Sequence, residues 1–390
     1  MINKILNGKK SFGGWMMKFL FACTGTAGHI NPALAIAEQL KKTVENSSFL
    51  FVGAGRDMEK RLIENAGYEL VNIQMSGLRR SFKPKDIVYN LKAVSYLFKA
   101  GIEAKKIIKD FKPDAVIGTG GYICYPVIKE ASKLGIPTIV HESNAVPGLT
   151  TKMLAKTASR VLVSFPGLEN SYKRPENVVF TGTPIRGGFG QNVDKTRDKN
   201  QFGKPIVLSF WGSLGAEGMN EMMIAFMKAN VEKSAFHHIH GAGKSGGDLE
   251  IQQGLMELGI GTEELSNLDI REYIDDMEAV MGLADLVLCR AGGSTIAELT
   301  ALGKPAVLVP SPYVSNNEQH FNAEQLAKAG GALILDEKNC TGDMLFDIVV
   351  DILNDSDKLS SMAEGQMSIA APMAAETITD LILSLCKDVY

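Results

Sequence analysis

Residues 286–323, LVLCRAGGSTIAELTALGKPAVLVPSPYVSNNEQHFNA, decide the fold class of this chain. The apolar run 286–289 has the length of a buried strand, and Gly292 and Gly293 permit a tight turn directly after it. Ser294 and Thr295 open a helix over 296–302, which Gly303 and Pro305 close. A second apolar run, 306–309, follows at once, so the segment reads strand, glycine turn, helix, strand. The start of such a helix presents free backbone N–H groups and the positive end of its dipole, which suits a diphosphate. The stretch therefore has the character of a nucleotide-sugar pocket.

Short β-branched or aromatic runs alternate with helical patterns on both sides of it. In the first half they fall at 19–22, 49–52, 70–73, 115–118, 138–140, 160–163 and 178–181; in the second at 206–210, 238–240, 268–273, 286–289, 306–309 and 332–335. This predicts an α/β chain of two doubly wound, Rossmann-like domains of parallel strands facing a cleft, with the active site in that cleft. Residues 183–205 are rich in Gly, Asn, Lys and Asp with little apolar periodicity, which puts the boundary there. The expected division is an extension over 1–17, a first domain over 18–185, a second over 186–370 and a C-terminal helix over 371–390. That helix carries Ile378, Leu381, Ile382 and Leu385 on one face for packing on the body.

At 390 residues with 45% apolar side chains, the chain can fill two full cores. Its 41 basic and 44 acidic residues leave a net charge of −3, without the basic excess of a nucleic-acid binder. Cys23, Cys124, Cys289, Cys340 and Cys386 form no C-x-x-C pair for zinc or redox chemistry and fit a reducing cytosol. No run approaches the roughly 18–20 apolar residues that cross a bilayer. Residues 1–23 imitate a signal peptide, with Lys4, Lys9 and Lys10 ahead of an apolar run. Cleavage there would remove the first strand of a βα unit, so residues 1–17 are expected to be either a dispensable extension or the product of a misplaced start codon, with Met16 or Met17 the expected beginning in that case.

Three further glycine turns follow predicted strands. Thr24-Gly25-Thr26-Ala27-Gly28-His29 precedes a helix with Pro32 near its first turn, so its N–H groups suit a phosphate with His29 at the mouth. An ordinary βα turn reads the same. It is not a full G-x-G-x-x-G, and no ribose-binding acid ends the second strand, which argues against a nicotinamide cofactor. Gly118-Thr119-Gly120-Gly121-Tyr122 gives the first domain a second flexible loop for a polar ligand, or a turn with Tyr122 packed beneath it. Residues 211–216, WGSLGA, repeat the cradle in the second domain, where Ser213 either donates to a phosphate oxygen or caps the helix.

His141-Glu142-Ser143-Asn144 is expected as a loop whose polar side chains emerge at a strand's carboxyl end. A carboxylate there can accept a proton or orient a histidine, and a solvated loop or helix cap reads the same. Thr295-Ile296-Ala297-Glu298 has the spacing of a capping box, and spacing alone favours that role for Glu298 over binding a ribose. His237-His238-Ile239-His240 alternates across a strand without an acidic partner, so a metal is not expected. Asp355-Ser356-Asp357 reads as a turn. From Arg79 to Lys112 ten basic residues meet three acidic ones, interleaved with Ile87, Val88, Tyr89, Leu91, Val94, Tyr96, Leu97 and Phe98. Such a segment suits an anionic membrane surface, or is the solvated face of an ordinary amphipathic helix.

Nine segments in this order carry a resemblance: GTAGHINPALAIA from Gly25, MSGLRR from Met75, GTGGY from Gly118, HESN from His141, TGTPIR from Thr181, GSLGA from Gly212, YIDDM from Tyr273, CRAGGSTIAE from Cys289 and NNEQHFNA from Asn316. Over about residues 17–385 the chain resembles the bacterial cell-wall N-acetylglucosaminyltransferase (MurG) family. The resemblance implies a B-type glycosyltransferase fold that moves N-acetylglucosamine from UDP-N-acetylglucosamine to the muramoyl 4-hydroxyl of undecaprenyl-diphosphate-muramoyl-pentapeptide. It implies that the first domain receives the lipid acceptor and the second holds the donor. Ile274 would meet uracil through its backbone, Glu298 the ribose and Gln319 the sugar hydroxyls, so ribose binding becomes the favoured role of Glu298. Ser213 with Gly293, Ser294, Thr295, Ile296 and Ala297 would surround the diphosphate, with Arg186 and Asn144 also at the donor. Thr26, Ala27, Gly28 and His29 would face the acceptor's diphosphate near Gly25, Tyr122 and Glu142, the first three also bordering the donor. The basic segment would sit on the inner leaflet, at the cytoplasmic face of the cell membrane, and other cell-wall enzymes are admitted as partners. Thr24 and Ala27 depart from glycines of the family's first turn, Ser143 and Glu318 from glutamines, and Leu214 from a polar residue.

The implied reaction is an inverting single displacement with UDP leaving, His29 the first choice of base and Glu142 the second. No cofactor or metal is obligatory in this reading, because helix N–H groups and Ser213 stabilise the leaving diphosphate; one such donor is worth about 3 to 4 kcal/mol. The rivals are a UDP-N-acetylglucosamine epimerase on the same architecture, which needs no membrane-facing segment, and a non-catalytic UDP-sugar sensor. A nicotinamide oxidoreductase is more distant.

Overall fold

The computed structural model describes residues 15–75, 84–186, 202–261, 263 and 265–387, and of 84–95 only the helical path. The expectations that fall on residues 1–14, on Arg79, Arg80 and Lys83, and on the stretch 187–201 lie outside the described residues. The chain divides after Arg186 and again after Ala371, the last segment rejoining the first unit.

Unit 1 runs β1 (Met17–Cys23), α1 (Ala27–Thr43), β2 (Ser47–Gly53), α2 (Asp57–Asn65), β3 (Glu69–Asn72), α3 (Pro84–Phe111), β4 (Ala115–Gly120), α4 (Cys124–Lys133), β5 (Thr138–Glu142), α5 (Leu149–Leu154), β6 (Arg160–Val163) and β7 (Val178–Phe180). Its sheet has the order β3-β2-β1-β4-β5-β6-β7, every pair parallel. Unit 2 runs β8 (Ile206–Phe210), α6 (Glu217–Lys233), β9 (His237–Gly241), α7 (Gly247–Glu257), β10 (Leu268–Arg271), α8 (Met277–Leu283), β11 (Leu286–Cys289), α9 (Gly293–Leu302), β12 (Ala306–Leu308), α10 (Glu318–Lys328), β13 (Ala332–Ile334), α11 (Gly342–Leu353) and α12 (Ser356–Ser368). Its order is β10-β9-β8-β11-β12-β13, again parallel throughout. All the predicted strands are present within two residues of their expected bounds.

β1 shows why these runs are so apolar. Phe19, Phe21 and Cys23 enter one core with α1, while Leu20 and Ala22 enter a second core beneath α4. A parallel strand covered on both faces has no solvent side, so its sequence is continuous rather than alternating. The chain's last helix, α13 (Ala374–Lys387), sends Ile378, Ile382, Leu383 and Cys386 into the first of those cores, with Leu381 and Leu385 half-buried beside them.

In both units the strand order reverses beside the first strand: between β1 and β4, and between β8 and β11. Loops leaving neighbouring strands there diverge to opposite faces of the sheet and open a crevice. All four glycine turns read from the sequence leave those four strands. No described helix is long and apolar enough to cross a membrane.

Candidate active site

At the unit 1 switch point the two turns touch: the Thr24 N–H donates to the Gly120 carbonyl at 3.2 Å. Gly120 sits at φ +134° against the His29 ring, which a Cβ there would strike. The His29 Nδ1 lies 2.8 Å from the Thr24 carbonyl oxygen. A carbonyl can only accept, which assigns the proton to Nδ1 and leaves the Nε2 lone pair free in the neutral ring. The Thr119 hydroxyl donates to the His29 carbonyl at 2.7 Å. α1 begins at Ala27 after an exposed Thr26, and the N–H groups of Thr26, Ala27 and Gly28 donate to nothing among the described residues. Pro32 lies in the second helical turn.

Sequence reasoning missed the residue that holds this turn. Glu59, in the first turn of α2, is fully buried, and its carboxylate accepts from the Thr24 hydroxyl and from the N–H groups of Gly25 (3.2 Å), Ala54 (2.8 Å) and Arg56 (3.2 Å). An acid does follow the second strand, six residues past its end, but it binds the first turn instead of a ribose. It also accounts for Thr24, whose hydroxyl supplies a donor that glycine lacks. The Arg56 guanidinium lies 5.7 Å over the ring of Tyr122.

His141 and Glu142 are not in a loop: β5 continues through both, and both are buried. Pairing of His141 with Leu162 and of Glu142 with Val163 extends the strand two residues beyond the expected end. The Glu142 carboxylate accepts from the N–H and side-chain amide of Asn144 (both 3.2 Å) and from the Gly148 N–H (2.9 Å), so it ties down the loop that follows. Burial pushes His141 down to about 4, and its Nε2 lies 3.1 Å from the Gly182 carbonyl. Arg186 donates to Glu38 on α1 at 2.8 Å.

In unit 2, Gly215 (φ +80°) after β8 and Gly243 (φ +92°) after β9 pack backbone against backbone, where neither can carry a side chain. The loop 241–246 after β9 was not singled out from the sequence. It is joined to the Ser213 turn by a hydrogen bond from the Lys244 N–H to the Ser213 carbonyl at 3.2 Å.

α9 starts at Gly293, three residues before the predicted 296, with Gly292 as its N-cap. Thr295 therefore sits inside the first turn and Glu298 in the second, and the capping box does not form. The Glu298 carboxylate has no hydrogen bond or ion pair among the described residues, and burial pushes it up to about 7. The Ser294 hydroxyl is buried with no partner in the described chain. The hydroxyls of Ser213 and Thr295 also take none there. Ile296 is buried, its N–H on the Gly292 carbonyl at 2.9 Å, and Ala297 is half-buried. Ile274 buries its side chain against Gly241 and leaves its backbone N–H and carbonyl without partners among the described residues. Gln319 accepts from the Ser311 N–H at 2.9 Å through its side-chain oxygen.

His238 and His240 share one face of β9 and both bond the Ser209 hydroxyl, at 2.7 and 2.6 Å. Among the described residues no group of three or more His, Cys, Asp or Glu is placed to hold a metal. Asp355 accepts from the Lys358 N–H at 2.9 Å as the N-cap of α12.

Residues 19–163 match the glycosyltransferase family 28 N-terminal domain and residues 206–378 its C-terminal domain. The "UDP-N-acetylglucosamine--N-acetylmuramyl-(pentapeptide) pyrophosphoryl-undecaprenol N-acetylglucosamine transferase" of Acetivibrio thermocellus is 42% identical over 376 residues, 95% of this chain and 99% of its own. The protein of the same description from Listeria monocytogenes is 36% identical over 95% of this chain and all of its own length. Among solved structures, Acinetobacter baumannii MurG superposes with a TM-score of 0.74 at 29% identity, over 95% of this chain and 99% of that one. A putative UDP-N-acetylglucosamine 2-epimerase from Listeria monocytogenes, at 14% identity and a TM-score of 0.68 over 96% and 98% of the two chains, shares the fold.

Proposed function

This chain belongs to glycosyltransferase family 28, and on that premise we propose that it transfers N-acetylglucosamine from UDP-N-acetylglucosamine to the muramyl unit of a pyrophosphoryl-undecaprenol-linked pentapeptide. The observation that carries this reading is the pair of switch points. Unit 1 presents a histidine with a free Nε2 beside three open N–H groups, and unit 2 presents unpartnered groups suited to a UDP-sugar. In this reading Nε2 of His29 takes the proton of the muramyl 4-hydroxyl as its oxygen attacks the anomeric carbon. The bond from that carbon to the β-phosphate oxygen breaks, and UDP leaves with the electron pair.

Ile274 meets uracil, Glu298 the ribose hydroxyls, Gln319 the sugar, and Ser213 with Gly293, Ser294 and Thr295 the diphosphate. The first N–H groups of α9 and these hydroxyls supply charge stabilisation that requires no obligatory metal. Glu142, with its carboxylate engaged by Asn144 and Gly148, organises the loop in this reading and stays the second choice of base behind His29.

The membrane-facing surface belongs to unit 1. Phe98 and Ile102 on α3 are exposed at 75% and 71%, and with Lys105, Tyr125, Lys129 and Lys133 they line a cavity of about 340 Å³ beside α4. Apolar side chains beside Lys105, Lys129 and the Glu130-paired Lys133 suit the boundary of an anionic leaflet, which supports reading the enzyme as a peripheral protein of the cytoplasmic face.

The test is UDP release from UDP-N-acetylglucosamine with and without a short-chain polyprenyl-diphosphate muramoyl-pentapeptide. Acceptor-dependent release with formation of a disaccharide lipid is the expected result. Release or isomerisation without acceptor would mark an epimerase, and binding without turnover a sensor.

A further inference from the structure

We infer that Lys244 is a mobile counter-ion for the donor's diphosphate and for the charge that develops on it as UDP leaves. This rests on the reading that unit 2 holds a UDP-sugar. Lys244 follows Gly243, which packs on Gly215, and its N–H is bonded to the Ser213 carbonyl. Its backbone is thus fixed to the turn whose hydroxyl faces the diphosphate in that reading. The side chain is exposed, and its ammonium rests 4.1 Å from the ring centroid of Tyr273, the neighbour of Ile274.

Two other cations at the carboxyl ends of the unit 2 strands are already engaged. Arg271 is bonded to Asp269 and Arg290 to Glu337 at 2.7 Å. Lys244 has no carboxylate partner among the described residues. A contact between an exposed ammonium and a ring face is weak, and a diphosphate oxyanion within reach of the same flexible stem outcompetes it.

The chemistry requires such a cation late in the reaction. When the anomeric carbon–oxygen bond breaks, the electron pair stays on the β-phosphate oxygen and the diphosphate gains a unit of negative charge, while the hydroxyl proton goes to the base. A lysine that swings from Tyr273 to that oxygen interacts more strongly with the transition state than with the bound donor, so its loss lowers kcat as well as affinity.

The experiment measures dissociation constants of uridine, UMP, UDP and UDP-N-acetylglucosamine, together with kcat and KM, for the wild type, Lys244→Met and Lys244→Arg. Lys244→Met should leave uridine binding within about twofold, weaken UDP by at least about tenfold and lower kcat, with Lys244→Arg recovering most of both. Equal losses for uridine and UDP would show that Lys244 only shapes the loop, and unchanged UDP binding would remove it altogether; either overturns the inference. A wild type that binds no UDP would instead overturn the donor reading on which it rests.

Discussion

At the switch point of unit 1 most polar groups find partners within the protein: Glu59 takes the Thr24 hydroxyl and the Gly25 N–H, and the Thr24 carbonyl takes His29 Nδ1. At the switch point of unit 2 the hydroxyls of Ser213, Ser294 and Thr295 and the carboxylate of Glu298 find none among the described residues. The same architecture is finished in two ways. Unit 1 fixes one ring nitrogen in advance of any ligand, whereas unit 2 holds groups that, in the proposed reading, a ligand would partner. Of these the Ser294 hydroxyl is buried, and a buried polar group without a partner costs about 1–3 kcal/mol, which a bound diphosphate would offset. Donor binding should therefore raise the stability of unit 2 far more than that of unit 1.

The sharpest way to break this comparison is His29→Ala. If unit 1 contributes a base, turnover falls by about 10²–10⁴ while the donor KM stays within about twofold. An unchanged kcat would remove His29 from catalysis. Next in size is Glu298→Gln, which should weaken UDP-N-acetylglucosamine by about tenfold or more through lost hydrogen bonds to a charged acceptor.

The same substitution should stabilise the ligand-free protein, and pH separates the two effects. The carboxyl of Glu298 stands at about 7 in the fold against an ordinary 4.5, so the folded state keeps a proton that the unfolded chain has released. Stability from this group is full below the unfolded value and declines as pH rises to about 7, a decline the Gln variant lacks. In the proposed reading donor affinity should run the other way, tightening through about pH 7 as the carboxylate ionises and accepts from the ribose. Calorimetric titrations at pH 6 and 8 check this, and equal affinities at both would sink it.

The strands were legible because buried parallel strands have no polar face to obscure them, and the turns because glycine marks positive φ and close approach. Glu298 shows the limit. Its spacing from Thr295 has the form of a capping box, and only the start of α9 at Gly293 decides against that pairing. His141 and Glu142 read as loop because they are polar, yet partners on β6 carry the ladder through them. Glu59 could not be found from spacing at all, since its role depends on α2 folding back so that its carboxylate reaches a turn more than thirty residues earlier. Lys244 escaped notice because its loop meets Ser213 only through the pairing of β8 with β9.

Two glycines sharpen the contrast at a smaller scale. A Cβ on Gly120 would meet the side chain of His29, and one on Gly215 would meet the carbonyl of Ala242. A ring can shift where a backbone carbonyl cannot. Gly120→Ala should therefore depress kcat by displacing His29, its stability cost coming from φ +134° rather than from the clash. Gly215→Ala should destabilise unit 2 by about 1–3 kcal/mol, since φ +80° is itself unfavourable for alanine. Paired measurements of kcat and denaturant midpoint test this, and a reversed pattern would mean that the unit 1 turn is the structural one.

The smallest expected difference lies in acid stability. Unit 2 buries His238 and His240 around one Ser209 hydroxyl, and unit 1 buries His141. Burial pushes His238 well below its ordinary value, with neighbouring His240 and His237 adding to the shift, and takes His240 down to about 3. Because the unfolded chain takes up these protons first, their contribution is complete above about pH 6.5 and is lost as pH falls toward the folded values. Each histidine costs roughly 1.4 kcal/mol per pH unit in that window. Unit 2 should then lose stability at least twice as steeply as unit 1 between pH 6.5 and 5, with His237, also held below its ordinary value by burial, adding to the slope. Glu298 acts with the opposite sign over the same range, so the comparison belongs in a Glu298→Gln background. Trp211, buried in unit 2, allows that unit to be followed by fluorescence, and amide hydrogen exchange follows the two units separately. If His240→Gln leaves the slope of unit 2 unaltered, the buried pair is not the acid-sensitive element; if the slope falls to that of unit 1, one histidine accounts for the excess.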